Sequence, residues 1–377
     1  MNNILLLANE NERAAITCLR SLERHSLSVH LAFSNKSFIN LLIFKNYINK
    51  SHSYYNKSSE EEFLQSLISI KNEIGDYLVF PFGDQLSYWL VKNNELLKNQ
   101  GIIVNGPKLD AFNTMLDKKC FLDYANKHGI SIPKEIDIKK ILSGNFKSKF
   151  VIKSNENSKD DSNVIKAPVL IENNKSFRKL IEKKLTLEKH FVQEYLDGPS
   201  IYYCAYYKNG VNILFFSQIT VCQQPGGKSV IKAIPYNLST KIIEKIDGMM
   251  FELDWSGPMM IELKKNKSDY YAIECNPRLW GPLQLALDNG VDFPSCLAGI
   301  NIVKEKTNNI GFIWRTGYLI GLLYKIQTNT KFQKNKYDMG KKIKYRDIWF
   351  LKDTYVYGVM EFFIIVFDLV RKKLRRK

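Results

Sequence analysis

The sequence is poor in the residue patterns that mark several common functional classes. Its six cysteines, Cys18, Cys120, Cys204, Cys222, Cys275 and Cys296, form no CxxC pair. That spacing gives no disulfide framework and no cysteine-based zinc site; reduced, mostly buried thiols in a cytoplasmic protein are expected. The five histidines are scattered, with none in HExxH spacing. After the first apolar run comes Asn9-Glu10-Asn11-Glu12, so a dinucleotide-binding GxGxxG is absent. That run, Ile4 to Ala8, is also too short for a signal-peptide core. No internal repeat is present.

Acidic residues are outnumbered, 38 against 55 basic ones, for a formal net charge of +17. The excess is uneven. Residues 301–377 hold 18 Lys and Arg against 6 Asp and Glu, so +12 lies in the tail and +5 in the first 300 residues. A basic tail suits a polyanionic partner such as a membrane surface, a nucleic acid or an anionic substrate. No DNA- or RNA-binding motif accompanies the lysines, so no specific nucleic-acid partner is expected.

What is present is a globular chain of 377 residues, 45% hydrophobic, with length for two or three domains. Ile4 to Ala8, an amphipathic stretch through Ala15, Cys18, Leu19 and Leu22, and the alternating Leu27 to Ala32 read as strand, helix, strand. This is the opening of a parallel sheet. A helix at 60–74 and strands at 77–82 and 102–104 continue it, and residues 1–112 are taken as an open α/β domain. Beyond it, Leu116 to His128 reads as a helix closed by Gly129, and Lys149 to Lys153 as a strand. A polar loop at 154–163, a helix from Phe177 to Leu185 and a strand from Phe191 to Leu196 follow. Strands at 201–208, 212–222, 258–263 and 270–275 then surround one helix near 239–252. After 305 the chain becomes lysine-rich and less regular.

The sharpest signal is a pair of strands, Met259-Met260-Ile261-Glu262-Leu263 and Tyr271-Ala272-Ile273-Glu274-Cys275-Asn276-Pro277-Arg278. Each carries one carboxylate among apolar neighbours, and a compact turn joins them. Paired in the register that the turn suggests, Glu262 and Glu274 share a face with Asn276. Two carboxylates and an amide oxygen on one spot suit a hard divalent cation. The alternative is a solvated hairpin whose glutamates face water, and spacing alone leaves both open.

The segment Ile273 to Pro294, IECNPRLWGPLQLALDNGVDFP, resembles the metal-binding end of the ATP-grasp superfamily, in its carbamoyl-phosphate-synthase and carboxylate–amine ligase branch. The family's E-x-N-P-R element is matched by Glu274 to Arg278 and its upstream metal carboxylate by Glu262. The resemblance implies that Glu262, Glu274 and Asn276 hold Mg²⁺ against the phosphates of ATP, and that Arg278 acts on the phosphate or acyl phosphate. Asp117-Lys118 with Gly129-Ile130-Ser131-Ile132-Pro133, and Phe150 to Lys153, resemble the stations that place two phosphate-side lysines, Lys118 and Lys153. Gln193, Glu194, Tyr195 and Leu196 resemble the adenine hinge, and Gln224 to Lys228 a Gly-Gly turn of this branch. The resemblance covers about residues 3–303.

Two stations differ from the family. The loop at 154–163 has no glycine where the family has a Gly-rich flap, leaving Asn155, Asn157, Ser158 and Ser162 as donors. The family's ribose-binding acid falls at Ser200. The resemblance thus implies an N-terminal α/β domain (1–112), an ATP-grasp fold of two subdomains (113–196 and 197–304) and a basic C-terminal extension (305–377). Its expected activity is ATP- and Mg²⁺-dependent joining of a small-molecule carboxylate to an amine, in amino-acid, peptide or cell-surface polysaccharide biosynthesis. Carboxylation and acid–thiol ligation are rival chemistries, and a non-catalytic nucleotide-binding scaffold is the rival class.

In the tail, 355–370 is strongly apolar but contains Glu361 and Asp368, seven apart on one helical face that Arg371 or Lys372 and Arg375 extend. Two carboxylates in sixteen residues make a poor spanning helix. Two placements stay open: an amphipathic helix over about 355–374 lying on an anionic membrane, at its cytoplasmic face, or a helix docked on the protein's own core.

Overall fold

In a computed structural model, the described residues are 2–8, 11–33, 43–50, 53–54, 59–80, 82–143, 148–154, 168–171, 177, 189–227, 229–266, 268–301, 308–328, 331–335 and 343–374. The expected loop donors Asn155, Asn157, Ser158 and Ser162 lie outside them, as do Lys228, Arg375 and all of the expected 177–185 helix except Phe177.

The N-terminal strands β1 (Asn3–Leu7), β2 (Ser28–Phe33), β3 (Ser53–Tyr54), β4 (Tyr77–Phe80) and β5 (Ile102–Val104) form a wholly parallel sheet in the order β3-β2-β1-β4-β5. Strand β1 is apolar from Ile4 to Leu7, where both its faces are buried. Leu5 and Leu7 join one core cluster, whereas Ile4 and Leu6 join another. Helix Glu60–Ile74 starts where Ser59 accepts from the Glu62 amide and ends at Gly75, whose φ of 83° is open to glycine.

Strands β6 (Phe150–Ser154), β7 (Val169–Ile171) and β8 (His190–Glu194) form a small antiparallel sheet in the order β7-β6-β8. The larger sheet contains β9 (Ser200–Lys208), β10 (Val211–Gln223), β11 (Val230–Pro235), β12 (Gly257–Asn266), β13 (Asp269–Asn276), β14 (Ile310–Ile313) and β16 (Lys344–Asp347), in the order β13-β12-β9-β10-β11-β14-β16, while β15 (Gln333–Lys334) pairs with β10. One face of this sheet, through Tyr203, Tyr207, Met259, Ile261 and Leu263, packs on the helices Leu109–Leu116, Lys118–Lys127 and Thr240–Glu252. The other, through Cys204, Tyr206 and Phe216, meets the N-terminal domain. An N-terminal parallel-sheet domain followed by two further sheets matches the expected fold class.

Three local readings change. The helix read from Leu116 to His128 is Lys118–Lys127, capped by Asp117, which accepts from the Lys119 and Cys120 amides, and a separate helix that went unread, Leu109–Leu116, ends just before it. The short strand β11 went unread between the glycine turn and the next helix. The stretch after 305, read as less regular, supplies β14 and β16 to the large sheet and a helix, Arg315–Thr328, while the helix expected over about 355–374 is present as Tyr355–Leu374.

The C-terminal helix docks on the body. Tyr357 is buried edge-on against Trp349, and Gly358 lies so close to Trp349 that an added Cβ would sit 3.1 Å from it. Glu361 faces inward toward Arg13 and accepts from the Tyr357 hydroxyl at 3.1 Å. Of the two placements left open, the helix takes the one docked on the protein's own core, with the Glu361 carboxylate in the seam.

Ahead of this helix, Arg20 binds both Asp353 oxygens, at 2.7 and 3.1 Å, and also reaches Gln284, the Ile348 carbonyl and Thr354. Arg20→Leu leaves Asp353 and several acceptors unpaired, and is expected to cost about 3 kcal/mol or more in urea unfolding. A loss under about 1 kcal/mol would make the contact an ordinary surface pair.

Candidate active site

The antiparallel pair β12/β13 starts from the tight turn with Asn266 opposite Asp269, and this register continues to Leu263 opposite Ala272. Continued unchanged, it would put Ile273 opposite Glu262 and turn Glu274 to the other face. A one-residue bulge at Ile273 intervenes, so that Glu262 opposes Glu274, Ile261 opposes Cys275 and Met260 opposes Asn276. The core records the same shift. Ala272 and Cys275, three residues apart, both enter the core on the far face, which strict alternation would forbid. The two glutamates and Asn276 do share a face as expected, but the bulge rather than the turn puts them there.

Strand β9 brings more polar groups to that face. Buried Ser200 donates to Glu262 Oε1 at 2.6 Å and to Gln223 Oε1 at 3.3 Å, and Gln223 donates to the Tyr202 hydroxyl at 3.0 Å. Lys264, two residues beyond Glu262, is buried and donates to the Gly198 carbonyl at 2.8 Å. Gly198 itself has φ 127°, and a Cβ there would lie 2.7 Å from the Lys265 carbonyl oxygen. Only glycine lets the chain between the small and large sheets pass so close to β12.

The small sheet supplies a cation. Lys153 is buried near the end of β6 and donates to the Ile273 carbonyl at 3.4 Å, at the bulge. Burial lowers its pKa to about 8, Glu274 and Glu262 oppose that shift, and Lys118, the first residue of its helix, adds to it. Burial raises the pKa of Glu262, facing Glu274 raises it further, and Lys264, Ser200 and Lys153 restrain the rise. Burial lowers Lys264, against the pull of Glu262 and Asp197. Two half-buried carboxylates thus face each other, with cations at the margin.

Arg278 lies beyond Asn276. Its Nε donates to Asp84 at 2.5 Å, and its other nitrogens donate to the Asn276 side-chain oxygen and the Leu279 carbonyl, both at 3.1 Å. Asp84 begins a helix of the N-terminal domain, so a residue nearly two hundred positions away holds this guanidinium. The hinge residues separate by face. Gln193 pairs with Val151 and shares the Lys153 side of the small sheet. It is buried, and its Oε1 has no partner among the described residues. Glu194 lies on the opposite face and accepts from the Lys134 amide at 2.9 Å. The Tyr195 amide donates to the Lys149 carbonyl at 3.2 Å, and Leu196 is buried.

The structure therefore gathers Glu262, Glu274, Asn276, Arg278, Ser200 and Lys153 with Lys118 nearby, and leaves Glu194 turned away. Lys264, Tyr202, Gln223 and Asp84 were not read as site residues. Lys264 was readable as the second residue after a same-face glutamate. Asp84 had no local signal. Among the described residues no group of three His, Cys, Asp or Glu could hold a metal; the donor set is two carboxylates and an amide oxygen. That is a partial shell of the kind Mg²⁺ accepts when substrate phosphates and water complete it.

No protein-family model matches the sequence, and no curated protein matches it. Solved structures do resemble the fold. Biotin carboxylase from Campylobacter jejuni, in a β,γ-ATP complex, aligns over 79% of this chain and 70% of its own, with a TM-score of 0.59 and 16% identity. L-amino acid ligase from Bacillus licheniformis aligns over 79% and 73%, with a TM-score of 0.57 and 14% identity. The biotin carboxylase domain of Hydrogenobacter thermophilus 2-oxoglutarate carboxylase, solved with MgADP, ADP and bicarbonate, aligns over 82% and 72%, with a TM-score of 0.58 and 14% identity. The chain has the ATP-grasp fold.

Because Glu262 has a raised pKa in the fold, ionising it costs stability in the absence of metal. The penalty is absent below pH 4.5 and grows as the pH rises through the folded-state value. Without divalent cations, Glu262→Gln should unfold at pH 7 at the same urea concentration as the unchanged chain or a higher one, and the gap should close toward pH 4.5. A clearly lower midpoint at pH 7 would mean that Ser200 and the lysines outweigh the repulsion.

Proposed function

We propose that this chain is an ATP- and Mg²⁺-dependent ligase that activates a carboxylate as an acyl phosphate and passes the acyl group to an amine. The single observation that carries this reading is the half-buried Glu262 and Glu274, opposed across β12 and β13, with Asn276 beside them and Lys153 and Arg278 at their edges. Two like charges facing each other and partly withdrawn from water are costly, and a divalent cation against polyphosphate offsets that cost. The fold shared with an L-amino acid ligase and with carboxylases solved with adenine nucleotides supports the class of reaction.

In this reading Glu262, Glu274 and Asn276 hold Mg²⁺. When bound, the ion neutralises phosphate charge and fixes phosphate orientation. Lys153 and Lys118 attract the phosphates as point charges. Gln193, facing the Lys153 side with an unpartnered oxygen, serves the adenine amino group in place of Glu194, and Tyr195 and Leu196 contribute backbone and apolar contacts. Ser200 positions Glu262 instead of binding ribose.

A substrate carboxylate oxygen attacks the γ-phosphorus, and its bond to the β,γ-bridging oxygen breaks to release ADP. Arg278 stabilises the charge that moves onto the transferred group. The amine nitrogen then attacks the acyl carbon, phosphate leaves, and the nitrogen gives up a proton. No side-chain nucleophile is needed, consistent with the absence of a Cys/His or Ser/His arrangement among the gathered residues.

The test is Mg²⁺-dependent ADP release across a panel of carboxylates paired with amines. Glu274→Gln and Lys153→Ala should each lower turnover by about 100-fold or more. Turnover unchanged by Glu274→Gln would sink the metal assignment. Tight ATP binding with no turnover on any pair would favour the scaffold reading.

A further inference from the structure

The C-terminal helix has a docked side and an exposed side. Tyr357, Gly358, Glu361 and Ile365 turn inward. Its outer side carries Val356, Phe363 and Phe367, flanked by Tyr355, Phe362 and Ile364, all of them exposed. Phe363 and Phe367 are 64% and 68% exposed, among the highest values for large apolar residues in the described chain. Scattered exposed apolar residues are ordinary, but a contiguous row along one helix marks an interaction surface.

Charge selects the occupant. The apolar row runs into exposed Arg371, and the sequence continues with Lys372, Lys373, Arg375, Arg376 and Lys377. Six basic residues in the last seven follow the aromatic row in sequence. No helix of the described chain is long and apolar enough to cross a membrane. A surface-lying helix needs an apolar side to enter the acyl boundary and cations to meet anionic headgroups. The polar seam of Glu361 and Tyr357 on Arg13 holds the helix to the body, so this side stays outward and is not consumed by the core.

We infer that helix Tyr355–Leu374 is a membrane-surface anchor that lays Val356, Phe363 and Phe367 into an anionic bilayer, with the terminal lysines and arginines on its headgroups. The anchor places the enzyme body at the lipid surface without spanning it. It is independent of the ligase reading, since none of its residues belongs to the candidate active site.

The test is co-sedimentation of the full chain with vesicles of phosphatidylcholine alone or mixed with phosphatidylglycerol, at low and high salt. Binding should require phosphatidylglycerol and weaken with salt. Phe363→Gln with Phe367→Gln, and separately removal of 371–377, should each weaken it about tenfold or more. Both changes avoid the seam, and unaltered urea unfolding checks that the body is intact. Phe363→Trp supplies a readout that keeps the apolar side: its emission should shift to the blue with mixed vesicles. Absence of binding to either vesicle, binding indifferent to phosphatidylglycerol, or binding untouched by the phenylalanine changes would overturn the inference. So would a dimer in size-exclusion chromatography that the phenylalanine changes abolish while vesicles remain unbound, which would assign the row to a second copy.

Discussion

Two half-buried carboxylates, Glu262 and Glu274, face each other across adjacent strands, and the neighbouring structure is arranged around that repulsion. Ser200 donates to one of them. Lys153 and Lys264 are buried at their margin, at a cost to their own charge. The bulge at Ile273 creates the confrontation and also frees a carbonyl that Lys153 takes up. A fold seeking stability alone would gain nothing from this, because the same strands with Ile273 opposite Glu262 would separate the charges. Strain of this kind persists where the chemistry uses it.

The N-terminal parallel-sheet region reaches the candidate site. Asp84 stands at the start of a helix just beyond β4, and it fixes the guanidinium of Arg278. Arg278 in turn donates to Asn276, which lies beside Glu274. A chain of contacts therefore runs from the parallel sheet to the paired carboxylates. Arg278 is the link through which a shift between the two domains would reach the site.

Much of this was legible in the sequence. Runs such as Ile4 to Ala8 and Tyr77 to Phe80 announce doubly buried parallel strands, and the glutamates on 258–263 and 270–275 stand out against apolar neighbours. The bulge was not legible, since period-two alternation has no mark for an inserted residue; the three-residue spacing of Ala272 and Cys275 becomes informative only once both are known to be buried. Asp117 was legible as a helix cap but was read past. The contact between Asp84 and Arg278 joins distant parts of the chain and has no local trace. In the tail, the apolar run correctly marked a helix, but the pattern cannot say which side of a docked helix meets the body. Arg13, buried across the seam, decided that.

The core that closes around β1 has a temporal consequence. It gathers Ile4 and Leu6 together with Trp280, Phe293, Ile348, Trp349 and Tyr357, and Arg20 is tied to Asp353, 333 positions later. Early residues of this sequence are completed by others more than 300 positions later. On a ribosome, this strand–helix unit emerges with one of its two faces uncovered and waits for segments such as Ile348 to Tyr357 before that face closes. Contacts of such long sequence separation slow folding, and the exposed interval favours chaperone capture or aggregation of unfinished chains. A chain truncated before the last helix is therefore missing part of its first domain's core.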